Sequence, residues 1–249
     1  MARLGQRAHQ LMRSLAAPLA ARLAAPLAAP LAARWLLLLW LALPLPLWAE
    51  DAPASLAIPN LTVVKQQVRD WVASGRYQAE CASVNAQARA YLEANLARAA
   101  RPALVLDIDE TSLSNYPLWD RCDFGWDPER WDRWVANGQT PAIPSTLELY
   151  RFARSRGVAC FFITGRAEPL REATERDLRN AGYEGWAGLH LKPLSYDAPS
   201  VVGFKSGVRK QLTEQGYTIL VNVGDQMSDL DGGYADGAFK LPNPMYYIP

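Results

Sequence analysis

The sequence predicts an α/β fold in which a doubly wound, mostly parallel sheet forms the middle of three layers. Four short apolar runs alternate with helical patterns between residues 103 and 223. Runs that are apolar at nearly every position are typical of parallel strands buried on both faces. Strands that alternate with helices along a chain build doubly wound sheets with a helix layer on each face.

The chain divides into segments of different composition. We interpret residues 1–49 as a signal peptide, residues 50–59 as a Pro/Ala-rich linker and residues 60–249 as the folded domain. Within the domain, residues 112–143 interrupt the strand–helix alternation and are predicted to form a small cap. The length that remains after the signal peptide is enough for one α/β domain with a substantial core.

The order of charges and apolar residues predicts the signal peptide. Residues 1–49 carry five arginines and no acidic side chain, and they end in the apolar stretch 35–47 followed by Ala49, the expected cleavage point. The stretch has 13 residues and two prolines, whereas a membrane span requires about 20 apolar residues. We therefore expect a periplasmic or secreted protein without stable membrane association after cleavage, with a retained membrane anchor as the alternative.

The remainder of the chain is mildly acidic. Five of the 26 basic residues lie in the signal peptide, so the other 200 residues carry 21 basic and 25 acidic side chains, a net charge of −4. Proteins that coat nucleic acid show a basic excess instead. We therefore expect no nucleic-acid polymer as a partner, and the sequence leaves the oligomeric state open.

Two helices are predicted before the first strand. Asn60 can cap the first helix, and Gly75 ends it. The second extends from about Tyr77 to Ala99, because Pro102 disfavours a helix beyond that point. The apolar faces carry Val64, Val68, Trp71 and Val72 in the first helix and Val84, Ala88, Tyr91, Leu92 and Leu96 in the second.

The four apolar runs are the predicted strands of the sheet. They cover residues 103–106, 158–163, 187–191 and 218–223, and helices are predicted between them at about 144–156, 168–181 and 204–215. Gly157, Gly182 and Gly216 each follow one of these helices, where a left-handed cap is expected.

The predicted cap is rich in aromatic residues. Asp127-Pro128 begins a short helix within it, and Gly138 ends that helix. The rings either pack against one another as a small core or stack on a flat leaving group, and both alternatives stay open. They are Tyr116, Trp119, Phe124, Trp126, Trp131 and Trp134.

Export to an oxidising compartment would allow a disulfide. The chain has three cysteines, so at most one disulfide can form. Cys160 lies in an apolar run and is expected to be a small core residue. Cys81 and Cys122 are therefore the pair to test.

Side chains suited to chemistry follow the strand ends, where open α/β sheets bind their ligands. The candidates are Asp107 and Asp109 after the first run, Thr164 after the second, Lys205 at a helix start, and Asp225 and Asp229 after the fourth. Lys192, at the end of the third run, is an alternative to Lys205. Clustered carboxylates repel one another and need a cation, and oxygen ligands without His or Cys favour Mg²⁺.

This set of residues is suited to phosphoryl transfer. An aspartate can attack phosphorus and form an aspartyl-phosphate. A second carboxylate two residues later can protonate the leaving oxygen and then deprotonate water. A lysine and Mg²⁺ together would offset the charge on the phosphoryl oxygens.

The motifs resemble those of the haloacid dehalogenase superfamily in order and spacing. They are Asp107-Ile-Asp109-Glu110-Thr111, Thr164-Gly-Arg166, Lys205 and Gly224-Asp225-Gln-Met-Ser-Asp229. The stretches 107–117, 201–212 and 239–249 resemble the subfamily IIIB acid phosphatases, a branch that includes secreted bacterial enzymes and plant acid phosphatases and vegetative storage proteins. The resemblance implies a haloacid dehalogenase-like fold and a Mg²⁺-dependent acid phosphatase.

The resemblance also implies a role for each matching residue. Asp107 would be the nucleophile and a Mg²⁺ ligand, and Asp109 the general acid/base, whose backbone carbonyl also faces the metal. Thr164 and the amide of Gly165 would hold the phosphoryl group. Lys205 would bridge Asp107 and the phosphate. Asp225 would be a further Mg²⁺ ligand, and Asp229 would support the metal shell either directly or through a water molecule.

Several alternatives carry less weight. Cys160 and Arg166 have the spacing of a cysteine phosphatase, but the residues between them read as a strand interior. Glu110 could serve packing or polar support, and His190 is expected to be an ordinary core or surface residue.

The expected substrates are small phosphomonoesters, nucleoside monophosphates among them, because a base could stack on the cap. A non-enzymatic storage or binding protein on the same fold is the alternative function.

Overall fold

A parallel sheet organises residues 58–249, the part of the chain that the computed structural model describes. Its strands are β1 (Pro102–Leu106), β2 (Ala159–Ala167), β3 (Gly188–Lys192), β4 (Thr218–Gly224) and β5 (Gly237–Lys240). Across the sheet they lie in the order β3-β2-β1-β4-β5, and every neighbouring pair is parallel. The structure therefore confirms the predicted α/β class and the doubly wound parallel sheet.

Six of the helices lie where the sequence patterns place them, with small differences at their ends, whereas the short helices α3 and α8 were not predicted. They are α1 (Leu61–Ala73), α2 (Arg76–Asn95), α3 (Tyr116–Arg121), α4 (Pro128–Asn137), α5 (Pro144–Ser155), α6 (Arg171–Asn180), α7 (Val202–Glu214) and α8 (Met227–Leu230). The second helix ends at Asn95 and continues as a 3₁₀ turn over 96–98, and a similar turn over 168–170 precedes α6.

Side-chain caps begin two of the helices as predicted. The Asn60 carboxamide oxygen accepts a hydrogen bond from the backbone N–H of Thr62 at the start of α1 (2.9 Å). The Asp127 carboxylate accepts one from the N–H of Arg130 at the start of α4 (3.1 Å). Each bond satisfies an N–H group that has no partner within the helix. Gly138 ends α4 in the left-handed conformation, with φ of 62°.

Alternating residues of the strands face two separate cores. Leu104 and Leu106 of β1 belong to the larger core, which the N-terminal helices and α5 cover. Ala103 and Val105 belong to the smaller core, which α7 covers through residues such as Val208. The sheet is thus buried on both faces, which explains why its strands are apolar at successive positions.

Two strands differ from the sequence prediction. The second strand was expected to end at Ile163, but β2 continues to Ala167, with a register shift against β3 between Thr164 and Ala167. The fifth strand, β5, was not predicted. Its four residues lie at the edge of the sheet and are alternately half-buried and exposed, so they form no apolar run.

The predicted disulfide is wrong for the structure described here. All three cysteines lie within residues 58–249 and are free thiols. Cys81 is buried in α2, whereas Cys122 follows α3 and is half-buried beside Arg130. Cys160 is a core residue, as expected. Burial raises the pKa of Cys81 and of Cys160 to about 12, so both thiols stay protonated near neutral pH.

The predicted signal peptide and residues 50–57 of the predicted linker lie outside the described residues. Among residues 58–249, no helix combines the length and hydropathy needed to cross a bilayer.

A buried arginine ties α7 to the loop that follows α8. Arg209 is fully buried and donates hydrogen bonds to the backbone carbonyls of Asp229 (2.6 Å) and Gly233 (2.8 Å) and to that of Asp231. Burial lowers the pKa of Arg209 below its usual value, because the guanidinium is removed from water. These bonds therefore fix the backbone on which Asp229 stands.

We expect Arg209→Met to lower the free energy of unfolding by about 3 kcal/mol, because it leaves buried carbonyl groups without donors. Urea unfolding of the purified protein measures this loss. Lys210→Met is the matched control, since Lys210 is exposed and pairs only with Glu214 one turn away; its effect should be within about 0.5 kcal/mol. Equal stability of the two variants would contradict the structural role given to Arg209.

Candidate active site

The candidate site lies at the topological switch point of the sheet. The chain proceeds from β1 toward β2 and β3 on one side, whereas β4 and β5 lie on the other. Asp107 directly follows β1, and Asp225 directly follows β4. Ligands bind at such a point because the connections leave the sheet in opposite directions there. A cavity of about 580 Å³ opens at this position and is lined by both aspartates.

Three buried carboxylates form the centre of the site. Oxygens of Asp107, Asp225 and Asp229 lie within 4.8 Å of one another. The ammonium group of Lys205 donates to Asp107 Oδ1 (2.6 Å) and to the carboxylate of Asp229. With all four groups ionised, the cluster carries a net charge of −2. The structure thus brings these four candidate residues together.

Hydrogen bonds fix two of these carboxylates. Asp225 accepts from Thr111 Oγ1 through Oδ1 (2.9 Å), and from the side-chain amides of Gln226 and Asn243 through Oδ2 (both 2.8 Å). Asp229 Oδ2 accepts from the backbone N–H of Gln226 (2.8 Å), which forms a capping box at the start of α8. Asp225 is therefore held by the loop after β1, by Gln226 and by Asn243, whereas Asp229 is held by the start of its own helix.

The electrostatics of the cluster reflect burial and crowding. Burial raises the pKa of Asp107 well above its usual value, and repulsion from Asp229 raises it further. The same two causes raise the pKa of Asp225 to about 7. Burial alone would lower the pKa of Lys205, but its ion pairs with Asp107 and Asp229 outweigh that effect and raise it. Another positive charge would relieve this repulsion.

The donor set of the cluster fits a divalent metal ion. Carboxylate oxygens are the ligands that Mg²⁺ and Ca²⁺ prefer, and no His or Cys is among the three residues. A divalent ion would balance the cluster's charge of −2. Asp109 was also predicted to contribute through its backbone carbonyl; its carboxylate is not part of the cluster.

The carboxylate of Asp109 faces an arginine. Arg166 Nε lies 3.1 Å from both carboxylate oxygens of Asp109, and Nη2 lies 2.7 Å from Oδ1. The side-chain amide of Asn115 also donates to Oδ1 (3.0 Å). Asp109 is half-buried and lines the cavity beside Asp107. A proton on its carboxyl group could therefore reach a ligand bound at Asp107.

The predicted phosphate-holding residues lie at the end of β2. Thr164 is fully buried and is not part of the cavity wall, whereas Gly165 and Arg166 line the cavity. Thr164 Oγ1 accepts from the backbone N–H of Arg166 (3.1 Å), at the point where the register of β2 against β3 shifts. Its direct contact with a substrate stays a prediction.

The alternatives to these residues have other positions. Lys192 lines the rim of the cavity, whereas Lys205 lies within the cluster. His190 is half-buried in β3 and takes no part in the cavity wall.

Glu110 supports the site from behind. It is fully buried and accepts hydrogen bonds from the hydroxyl of Tyr246 (2.7 Å), the indole N–H of Trp119 (3.3 Å) and the backbone N–H of Asn115 (2.5 Å). Burial raises the pKa of Glu110 to about 7, and the hydrogen bonds from Tyr246 and Asn115 act in the opposite direction. The residue therefore joins the loop after β1 to the cap and to the C-terminal segment.

The cap contributes an aromatic wall to the cavity. Trp119, Phe124, Trp126 and Trp131 line it, together with Tyr246. Trp119 stacks on Trp131 with ring centroids 6.0 Å apart, so the rings pack against one another as well as lining the cavity. The packing alternative is thus confirmed for these rings, whereas stacking on a flat leaving group stays a prediction.

Trp134, grouped with these rings in the sequence prediction, does not line the cavity. Its indole N–H instead donates to the side-chain oxygen of Asn115 (2.8 Å), and the guanidinium of Arg121 lies over its ring.

Sequence reasoning missed the polar residues that orient the site. Asp177 was given no role, and the others were noted only as parts of matching stretches or motifs: Asn115, Arg166, Gln226 and Asn243. The Thr-Gly-Arg motif was a signal for Arg166. Nothing in the local pattern marks Asp177, because a carboxylate on an amphipathic helix usually faces water.

Comparisons with known proteins agree with this geometry. The family model described as HAD superfamily, subfamily IIIB (Acid phosphatase), matches residues 52–249. Acid phosphatase 1 of Solanum lycopersicum is 37% identical over 186 residues, which cover 73% of each chain. The stem 28 kDa glycoprotein of Glycine max is 36% identical over 189 residues and 74% of each chain.

Two further proteins extend the comparison. Vegetative storage protein 1 of Arabidopsis thaliana is 35% identical over 191 residues, covering 74% of this chain and 70% of that one. The solved class C acid phosphatase from Bacillus anthracis superposes with a TM-score of 0.63 at 24% identity, covering 75% of this chain and 86% of that chain. The fold expected from the sequence resemblance is thereby confirmed.

We expect Gly224→Ala to disturb the carboxylate cluster. A Cβ at Gly224 would lie 2.7 Å from Asp229 Cγ and would overlap its Cβ, so Asp229 has to move. Thermal unfolding with and without added Mg²⁺ should show a lower Tm and a smaller Mg²⁺-induced rise, because binding to the native state raises Tm.

Gly207→Ala is the control for this variant. A Cβ at Gly207 meets no heavy atom within 4 Å, and the residue lies inside α7. Its Tm should stay equal or rise, because alanine favours a helix over glycine by about 1 kcal/mol. A Mg²⁺-induced rise that is equal in both variants would contradict the position of Asp229 in the cluster.

Proposed function

The chain belongs to the acid phosphatases of subfamily IIIB of the haloacid dehalogenase superfamily, and on this premise we propose that it is an exported, Mg²⁺-dependent acid phosphatase that hydrolyses phosphomonoesters through Asp107. One observation carries the proposal. A buried aspartate paired with Lys205 and a second carboxylate, Asp109, line the same cavity beside two further acidic groups.

In the first step, Asp107 attacks the phosphorus of the bound monoester. A new bond forms between its carboxylate oxygen and phosphorus, and the bond from phosphorus to the leaving oxygen breaks. Asp109 transfers its proton to that oxygen, so the product leaves as an alcohol. Lys205 holds Asp107 in place and stabilises negative charge on the phosphoryl oxygens.

In the second step, water cleaves the aspartyl-phosphate. Asp109, ionised after the first step, accepts a proton from the attacking water. The oxygen of that water bonds to phosphorus, the bond to Asp107 breaks, and inorganic phosphate leaves. Thr164 and the backbone N–H of Gly165 are proposed to hold the phosphoryl group through both steps.

The metal ion is proposed to be Mg²⁺, held by Asp107, Asp225 and Asp229. When bound, it would neutralise charge on the cluster and on the transferring phosphoryl group. The support for this assignment is the set of three buried carboxylates without a nitrogen or sulfur ligand.

The substrate range is proposed to be broad and to include nucleoside monophosphates. The cavity has room for a leaving group larger than phosphate alone, and Trp126 and Trp131 line its wall. Trp126 is 63% exposed, so its ring is accessible to a ligand. Flat groups stack on such rings with little sequence or chemical preference.

A storage protein on the same fold is the second candidate function. It is favoured by the names of relatives such as vegetative storage protein 1 of Arabidopsis thaliana. The intact set of Asp107, Asp109 and Lys205 favours the enzyme.

Export to the periplasm or medium is proposed from the residues that precede the described part of the chain.

We expect Asp107→Asn to abolish turnover while the protein stays folded. The carboxamide is a poor nucleophile, and loss of one of three crowded carboxylates relieves repulsion, so the Tm of the metal-free protein should be unchanged or higher. Release of p-nitrophenol from p-nitrophenyl phosphate, with Mg²⁺ and with a chelator, measures activity.

The wild-type protein is the control for this measurement, and each result has one meaning. Turnover that requires Mg²⁺ supports the enzyme. If wild-type protein shows none between pH 4 and pH 8, the storage or binding function is correct instead. Residual activity of Asp107→Asn equal to wild type would mean that Asp107 is not the nucleophile.

We expect Trp126→Ala to raise KM for nucleoside monophosphates about tenfold, because stacking on one ring contributes about 1–3 kcal/mol. The KM for glycerol phosphate, which has no flat group, should change little. Steady-state kinetics with both substrates measures the difference. Trp126→Phe keeps a flat ring and should restore most of the affinity. An equal change in KM for both substrates would contradict the stacking hypothesis.

A further inference from the structure

A fully buried guanidinium lies between two carboxylates beside the catalytic cluster. Arg166 stands at the end of β2, and its side chain is 0% exposed. On one side it contacts Asp109 through Nε and Nη2. On the other side Nη1 lies 3.2 Å from Asp177 Oδ2 and 3.4 Å from Thr174 Oγ1. All three guanidinium nitrogens thus have partners.

Asp177 is itself anchored on both of its oxygens. It lies on α6, is 0% exposed and accepts a hydrogen bond from the backbone N–H of Thr140 through Oδ1 (2.9 Å). Thr140 follows α4, so this bond ties the end of the cap to α6. Asp177 does not line the cavity. It can therefore affect a bound substrate only through the residues that it holds.

The stability of the fold does not by itself explain a buried ion pair of this kind. Moving charged groups out of water costs free energy, and such pairs often contribute little to folding compared with apolar residues of the same size. Arginine bridges two carboxylates in a fixed plane, which a lysine cannot do. The arrangement therefore suits the fixing of a carboxylate in one orientation.

We propose that Arg166, anchored by Asp177, is a positioning residue that holds the Asp109 carboxyl group in the orientation from which it transfers a proton to the leaving oxygen. The inference rests on the proposed function, since it assigns Asp109 the role of general acid. Correct orientation matters because small displacements of a catalytic group cost large factors in rate.

The kinetics of different esters distinguish the positioning of a general acid from two other roles, which are binding of the phosphoryl group and support of the fold. A general acid matters most when the leaving group is a poor one, such as an alkoxide, and least when it is a stable phenolate. A residue that binds the phosphoryl group affects both kinds of ester equally and also weakens inhibition by inorganic phosphate. A residue that serves only folding lowers Tm and affects all esters alike.

The test compares two esters of similar size, p-nitrophenyl phosphate and p-nitrobenzyl phosphate, in Arg166→Lys and Asp177→Asn. The quantity measured is kcat/KM, which reports the step that breaks the ester bond. For both variants we expect the loss with the benzyl ester to exceed the loss with the phenyl ester by about tenfold or more. The inhibition constant of inorganic phosphate should stay within about twofold of wild type.

Asp177→Asn is the stricter of the two variants. It keeps an oxygen that can accept from the Thr140 N–H and removes only the charge opposite Arg166. Arg179→Lys is the matched control on the same helix, because Arg179 is exposed and pairs with Glu175 one turn away. Its kcat/KM for both esters and its Tm should equal those of wild type.

Two results of these measurements would overturn the inference, each in a different way. Equal losses for the two esters would show that the pair serves folding alone. Weaker phosphate inhibition with equal losses would make Arg166 a phosphate ligand. If Asp177→Asn does not fold, Arg166→Lys decides by the same ratio. A wild-type protein without turnover would overturn the proposed function as well. If the wild type is active and the variants lose kcat/KM equally with both esters, only this inference is overturned.

Discussion

The crowding of three buried carboxylates at the end of a parallel sheet is the constraint on which the rest of the site depends. Asp107, Asp225 and Asp229 lose hydration and repel one another, and Lys205 supplies a single positive charge among them. Such a cluster would spread apart if the backbone that carries it were flexible. Adjacent strands fix the first two aspartates, and a capping box fixes the third. A bound divalent cation would relieve this repulsion.

Local signals in the sequence predicted most of the fold because strands buried on both faces cannot avoid being apolar. Left-handed glycines after α5, α6 and α7 were predictable for a similar reason, since few other residues adopt that conformation at low cost. The signals failed where tertiary pairing decides the structure. The end of β2 pairs with β3 although Thr164, Gly165 and Arg166 are not apolar, and β5 is too short and too exposed to show a pattern.

The same distinction applies to the site. Residues that directly follow a strand, such as Asp107 and Asp225, were predictable because the sheet brings its carboxyl ends to one edge. The partners that orient them were not, because a contact between Arg166 and Asp177 depends on how a helix packs and leaves no periodic trace. The disulfide expectation failed on similar grounds, since the number of cysteines says nothing about where Cys81 faces.

The three acidic residues of the loop after β1 face three different partners. Asp107 turns to Lys205 and the acidic cluster, Asp109 turns to Arg166, and Glu110 turns away from both toward the cap and the C-terminal segment. No regular strand or helix directs three neighbouring carboxylates in this way. Glu110 accordingly adopts a left-handed backbone with φ of 57°, which costs a residue with a Cβ about 1 kcal/mol. The hydrogen bonds that Glu110 accepts offset that cost, so the same turn secures the packing of the cap and the orientation of Asp107.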